Sequence, residues 1–184
     1  MELLTTLLLA HLLADFPLQT NAIAAGKSTS MRVLLLHVTV HMMVLGALLS
    51  FDWATWPIIL GLGSSHFLID WLKPRVPTLD TVQGFVIDQL AHISSILIIA
   101  ASVDAVFHHR VRHALSTTLL YPSLGVGLTL ALMVFGWIWV NTLQEEVIQQ
   151  NSHLRWGRDR LLEFEQRAGF GLLCVLGLSF FFTR

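Results

Sequence analysis

The string VLLLHVTVHMMV, residues 33–44, sets His37 and His41 four positions apart inside an otherwise apolar run. That spacing puts both imidazoles on one helix face, with Cβ atoms roughly 6 Å apart. It recurs as His11/Asp15 in LLLAHLLADF (7–16), His66/Asp70 in SSHFLIDWL (64–72) and Asp88/His92 in FVIDQLAH (85–92). Four helices that turn these faces inward would deliver eight imidazoles and carboxylates into one cluster. The expected fold is an all-α bundle with a polar layer inside it.

Composition places that bundle in a membrane. Of 184 residues, 54% are hydrophobic and only 12% charged, against about 25% charged in a soluble domain; the mean hydropathy is +0.68. Six apolar segments run approximately over 2–25, 31–50, 53–72, 82–103, 119–142 and 161–182. Each is near the ~20 residues that cross ~30 Å of hydrocarbon as a helix. The chain therefore predicts one polytopic membrane domain over 1–184. Residues 1–104 form a four-helix core carrying the metal-competent pairs, and 117–184 add two helices with a polar connection that extends helix five. Phe16-Pro17 should break the first helix, because proline disfavours helical geometry in the residue before it. Gly61 and Gly63 should loosen the third helix, and Pro74 and Pro77 should end it. The N-terminal stretch carries Glu2 in place of a positive n-region and is interrupted by His11 and Asp15, so it reads as a retained helix.

The remaining composition excludes several classes. A net charge of −1 argues against a nucleic-acid partner, which calls for a basic patch. The single cysteine, Cys174, rules out an intrachain disulfide and reads as apolar filler.

Basic residues set the expected orientation. Lys27, Arg32, Lys73, Arg75, Arg155, Arg158, Arg160 and Arg167 fall at one end of the bundle, against Arg110, Arg112 and Arg184 at the other. By the positive-inside rule the first, basic end faces the cytoplasm of a bacterial inner membrane. Counted from that end, His37 and His41 lie about 9 and 15 Å deep, and Asp88 and His92 match them. His66 and Asp70 come out at about 9 and 3 Å. His11 and Asp15 fall in the same half. All four pairs are expected to share one layer near the cytoplasmic surface.

Imidazole suits zinc, iron, copper or nickel, and carboxylates can bridge two ions. An intramembrane Asp costs at least ~2.5 kcal/mol even on the translocon scale, so eight ionisable groups call for compensation by bound cations. The expected cofactors are two or three divalent metal ions, zinc foremost, with iron or manganese as alternatives. Gln19, four residues beyond Asp15, and Gln89, beside Asp88, are candidates to orient ligands. Lys73 could steady an anion or simply snorkel at a helix end, and Arg32 is similarly placed. His108, His109 and His113 read as a solvated loop and His153 as a surface residue. Glu163, Glu165 and Arg167 read as a salt-bridged interfacial cap, with a flap over the site as the alternative.

The ordered motifs HLLADFPLQTNAIAAGK (11–27), LLLHVTVHMMV (34–44), SSHFLIDWLKPR (64–75) and FVIDQLAH (85–92) resemble an uncharacterised bacterial and phage membrane-protein family, a domain of unknown function, over roughly residues 8 to 95. More loosely, the His-x-x-x-Asp and His-x-x-x-His pairs look like zinc-dependent phospholipase C, single-strand nucleases and membrane-bound metal-dependent hydrolases. This chain lacks the N-terminal tryptophan ligand of the former. That likeness implies a metal-dependent hydrolase acting on a lipid or isoprenoid phosphoester at the cytoplasmic leaflet. Water activated by the ions would attack, an unligated carboxylate (Asp15 or Asp88) would serve as base, and Lys73 or Arg32 would steady the anion. The alternatives are a metal or proton transporter and an iron-dependent membrane oxidase. The expected partners are the bilayer and a lipid-like substrate; the oligomeric state is left open.

Overall fold

The computed structural model describes residues 1–76, 82–106 and 111–182, those at 104–106 and 181–182 through the backbone alone. Pro77, His108, His109, Arg110 and Arg184 lie outside the described residues. Among the described residues there are eight α-helices and no strand: α1 (Glu2–Asp15), α2 (Asn21–Gly26), α3 (Met31–Leu48), α4 (Trp56–Leu72), α5 (Val82–Val106), α6 (Thr117–Asn141), α7 (Glu145–Gln150) and α8 (Ser152–Phe182). A 3-10 turn (Trp53–Thr55) leads into α4 and another (Lys73–Arg75) follows it.

The centre of the bundle is α1. Apart from Glu2, Thr5 and Thr6 near its start and His11 and Asp15 in its last two turns it is wholly apolar, and a helix apolar on every side belongs in an interior. Leu7, Leu9, Leu13 and Ala14 are almost wholly buried. It packs on α3, α5 and α6, while α4 bridges α3 to α5, and α8 lies along α6. Close approach is bought with glycine at two of these crossings. A Cβ on Gly127 of α6 would come within 3.3 Å of Leu12, and one on Gly63 of α4 within 2.9 Å of Met42 on α3. Gly63 therefore serves packing rather than loosening, and α4 runs unbroken past Gly61 and Gly63.

All six apolar segments are helical, but they do not all have the form of a simple span. Three helical stretches are long and apolar enough to cross a membrane: Met31–Leu48, Val82–Val103 and Thr117–Asn141. The first segment divides at Phe16-Pro17, leaving α1 with 14 residues, about 21 Å of helix. Thr20 then caps α2, its Oγ1 accepting the Ile23 amide. Helix α4 has 17 residues, and α8 begins with a charged half. Leu35, Leu36, Leu68, Ile98, Leu132 and Phe170 nevertheless point outward and are exposed, as expected where lipid replaces water around a bundle. The polar connection after α6 does not extend that helix. It turns at Thr142 and folds into α7 and the first turns of α8, where Arg158 pairs with Glu145.

Candidate metal centre

Helices α1 and α4 run toward the basic end, and α3 and α5 start from it, so the four pairs meet at one level. All eight side chains are buried. Their donor atoms form three groups, each with its atoms within 4.8 Å of one another: His11, Asp15, His41 and His66; His37, His66 and Asp70; and Asp70, Asp88 and His92. His66 and Asp70 each belong to two groups. The eight residues singled out by spacing are the eight that assemble.

In the first two groups the Nε2 atoms of His37, His41 and His66 converge on carboxylates, while His11 turns Nδ1 toward Asp15 Oδ2 at 3.7 Å. Asp15 Oδ1 lies 2.8 Å from His41 Nε2, 3.2 Å from His37 Nε2 and 3.6 Å from His66 Nε2. Asp70 Oδ2 is 3.4 Å from both His37 and His66 Nε2, and those two nitrogens are 3.1 Å apart. Two donors on one tetrahedral ion, each ~2.1 Å from it, stand roughly 3.4 Å apart. The separations of 3.2–3.6 Å fit such sharing, while those of 2.8 and 3.1 Å are hydrogen-bond distances. The rings pack closely as well, with centroids 3.6 Å apart for His41 and His66 and 4.1 Å for His66 and His92.

The third group is not held together by hydrogen bonds. His92 Nε2 stands 3.6 Å from Asp70 Oδ1 and 3.8 Å from Asp88 Oδ1, too far for hydrogen bonds. All three atoms are buried, and none has a hydrogen-bond partner among the described residues. The other oxygen of each carboxylate is held by a lysine: Asp70 Oδ2 accepts from Lys27 Nζ at 3.0 Å and Asp88 Oδ2 from Lys73 Nζ at 2.9 Å. Each carboxylate thus aims one oxygen at a lysine and leaves one facing the imidazole. An unsatisfied buried polar atom costs about 1–3 kcal/mol, and a cation among these three would satisfy them together.

The surrounding residues refine the expectations. Gln89 Oε1 lies 3.3 Å from His11 Nε2 and can fix that ring. Gln19 lines a cavity beside the cluster, with its Oε1 buried and without a partner among the described residues. Lys73 pairs with Asp88 instead of snorkelling free. Arg32 is exposed at the start of α3. His113 is partly buried, its Nδ1 3.0 Å from Thr6 Oγ1, so the loop at the opposite end is tied to α1. His153 is exposed. Glu163 pairs with Arg160 and Arg167 as a salt-bridged cap requires, but Glu165, expected in the same cap, is buried and takes no part in those pairs.

Spacing did not single out Lys27 as a site residue. It follows α2, and the chain reversal at Pro17 carries it back to the cluster, where Nζ also lies 3.2 Å from His37 Nε2. Burial opposes its charge, but Asp15 and Asp70 more than offset this and hold the ammonium above its ordinary range. The one local hint was its isolation as the sole cation between the first two apolar segments.

Two cavities open beside the cluster. The larger, about 480 Å³, has Asp15, Asp88, Lys27 and Lys73 on one side and Trp137 of α6 and Glu165 of α8 on the other. The second, about 240 Å³, is lined by Lys27, Ser28, Ser30, Asp70 and Arg75. Toward the opposite end a void of only about 30 Å³ lies among His11, His41, His66 and His92, room for one water. Leu7, Leu45 and Ile59 line it there.

The chain belongs to DUF3307, a family described as a protein of unknown function, whose model matches residues 3–121. No curated protein and no solved structure matches the chain. The matched segment holds all eight clustered residues, Gln19, Gln89, Lys27 and Lys73. It ends in the second turn of α6, so α8 and most of α6 lie beyond it.

Proposed function

We propose that this protein is a membrane-embedded, metal-dependent hydrolase of the bacterial inner membrane, acting on a lipid or isoprenoid phosphoester at the cytoplasmic leaflet. The observation that carries the reading is the buried trio of Asp70 Oδ1, Asp88 Oδ1 and His92 Nε2, which face one another with no hydrogen bond. Their donor chemistry, with the imidazoles of His11, His37, His41 and His66 and the carboxylate of Asp15, fits two or three divalent ions. Zinc is the first choice, with iron or manganese next. Such ions lower the pKa of bound water and neutralise phosphoryl oxygens.

The chain's own residues supply the rest. Asp15 and Asp88 both line the larger cavity, where a carboxylate not engaged with an ion can take a proton from the attacking water. Lys73 and Lys27 stand at the same rim and hold Asp88 and Asp70 in register while offering positive charge to a phosphate. Gln89 orients His11. Hydrolysis is favoured over transport because both larger cavities adjoin the basic end, whereas the void on the opposite side of the cluster, among the described residues, has room for a single water.

Elemental analysis of the purified protein tests the site, and release of phosphate or a phosphorylated head from mixed micelles tests the reaction. The expected result is two or three metal ions per chain and a turnover abolished by chelation. A metal-free wild type, or full loading in a His66→Ala/Asp88→Ala double variant, overturns the proposal.

A further inference from the structure

We infer that the larger cavity seats an amphipathic lipid whose head carries a hydrogen-bond donor, a hydroxyl or an ammonium, and that Gln19 and Glu165 select for that donor. The inference rests on the phosphoesterase reading and names its substrate class. Glu165 is 4% exposed, and its Oε1 is buried with no hydrogen-bond partner among the described residues. The nearby charges are engaged elsewhere: Arg160 and Arg167 both pair with Glu163. Gln19, from the turn after α1, presents a second buried oxygen in the same condition, and both residues line the same cavity. A carboxylate or amide oxygen in this state accepts a hydrogen bond. A donor on a molecule seated in the cavity would satisfy both oxygens.

The rest of the lining fits an amphipathic occupant. Lys27 and Lys73 stand beside Asp15 and Asp88, where a phosphate would lie against the cluster. Phe85, Val134, Trp137, Ile138 and Leu162 supply an apolar side. A volume of about 480 Å³ is in the range of small-molecule sites and suits a head with the first carbons of its chains. Gln19 apart, the wall opposite the cluster is also separate from the ion-binding residues in sequence. Val134, Trp137, Ile138, Leu162 and Glu165 all follow residue 121, where the family match ends. The ligand set lies inside the matched segment and one side of the head pocket outside it.

A lipid-binding comparison on the full-length protein in detergent tests this apart from turnover. Native mass spectrometry would measure retention of phosphatidylethanolamine, phosphatidylglycerol and phosphatidylcholine, the last lacking any donor on its head. O-phosphoethanolamine serves as the chain-free control. Wild type should retain the first two lipids about tenfold better than phosphatidylcholine, the worth of roughly one hydrogen bond, and hold the soluble head weakly. Glu165→Ala and Gln19→Ala should each reduce that preference, with metal content unchanged. Glu165→Ala should also unfold at no lower temperature than wild type, because it removes an unsatisfied buried oxygen; a merely structural glutamate would lower it. Equal retention of phosphatidylcholine, tight binding of O-phosphoethanolamine, or a preference that survives both substitutions overturns the inference. Absence of metal or of hydrolysis, with the lipid preference intact, instead overturns the phosphoesterase reading.

Discussion

Where α3 meets α4, His37 and His41 face His66 and Asp70, and the contact is made of imidazole edges and a carboxylate. Where α6 meets α8, Leu161 lies against Gly136, Val140 against Gly157 and Leu130 near Gly169, which also abuts Pro17. The second contact seats apolar side chains against glycines. The first buries ionisable groups that are costly in an apolar interior unless paired or ligated. The difference teaches that the two contacts divide the work within one bundle. The α6–α8 seam holds shape along its glycines and lends one side to the larger cavity, while α1, α3, α4 and α5 have given up self-sufficiency for an interior of ionisable groups.

The sharpest way to break the comparison is Asp70→Ala. It removes a donor shared by two groups and leaves Lys27 unpaired, so we expect about 3–5 kcal/mol of lost stability together with a fall in metal content. Chemical unfolding in detergent and elemental analysis would show both, and a stable, fully loaded variant would contradict the assignment. Lys27→Met probes the same carboxylate from behind. Removing an orienting partner costs about 10–100-fold in metal affinity, measurable by competition with a chelating dye, and wild-type affinity would make Lys27 a bystander.

Leu161→Ala should do the opposite of both. A truncated aliphatic side chain at the α6–α8 contact costs about 2 kcal/mol with metal content unchanged, and loss of metal in this variant would show that the two regions are not separable. The smallest effect is expected from His113→Ala, at the far end of α1. Loss of its single bond to Thr6 should cost about 0.5–1.5 kcal/mol and leave both metal content and turnover alone.

The cluster was legible in the sequence because each pair is a local object. Four-residue spacing fixes a shared helix face whatever the tertiary structure, and depth counting from the basic end then aligned the pairs. The break after Asp15 was legible for the same reason, since Pro17 acts on its immediate predecessor. What escaped was non-local. Lys27 reaches Asp70 only because the chain reverses at the end of α1, and Glu165 reaches the cavity only because α8 lies along α6. The connection after α6 was misjudged because a polar stretch is compatible with either a projecting helix or a turn. Gly63 was misread because a glycine that admits Met42 and a glycine that loosens a helix look alike in one dimension.

The burial of α1 has a consequence for biogenesis. The helix that ends most enclosed leaves the ribosome before its covering partners, α3, α5 and α6, are made. Its His11 and Asp15 must therefore wait in the nascent chain until later helices arrive, and Leu12 gains its seat against Gly127 only when α6 has been inserted. Closure of this buried polar interior thus waits on later synthesis, completed from the outside inward around a helix made before its partners.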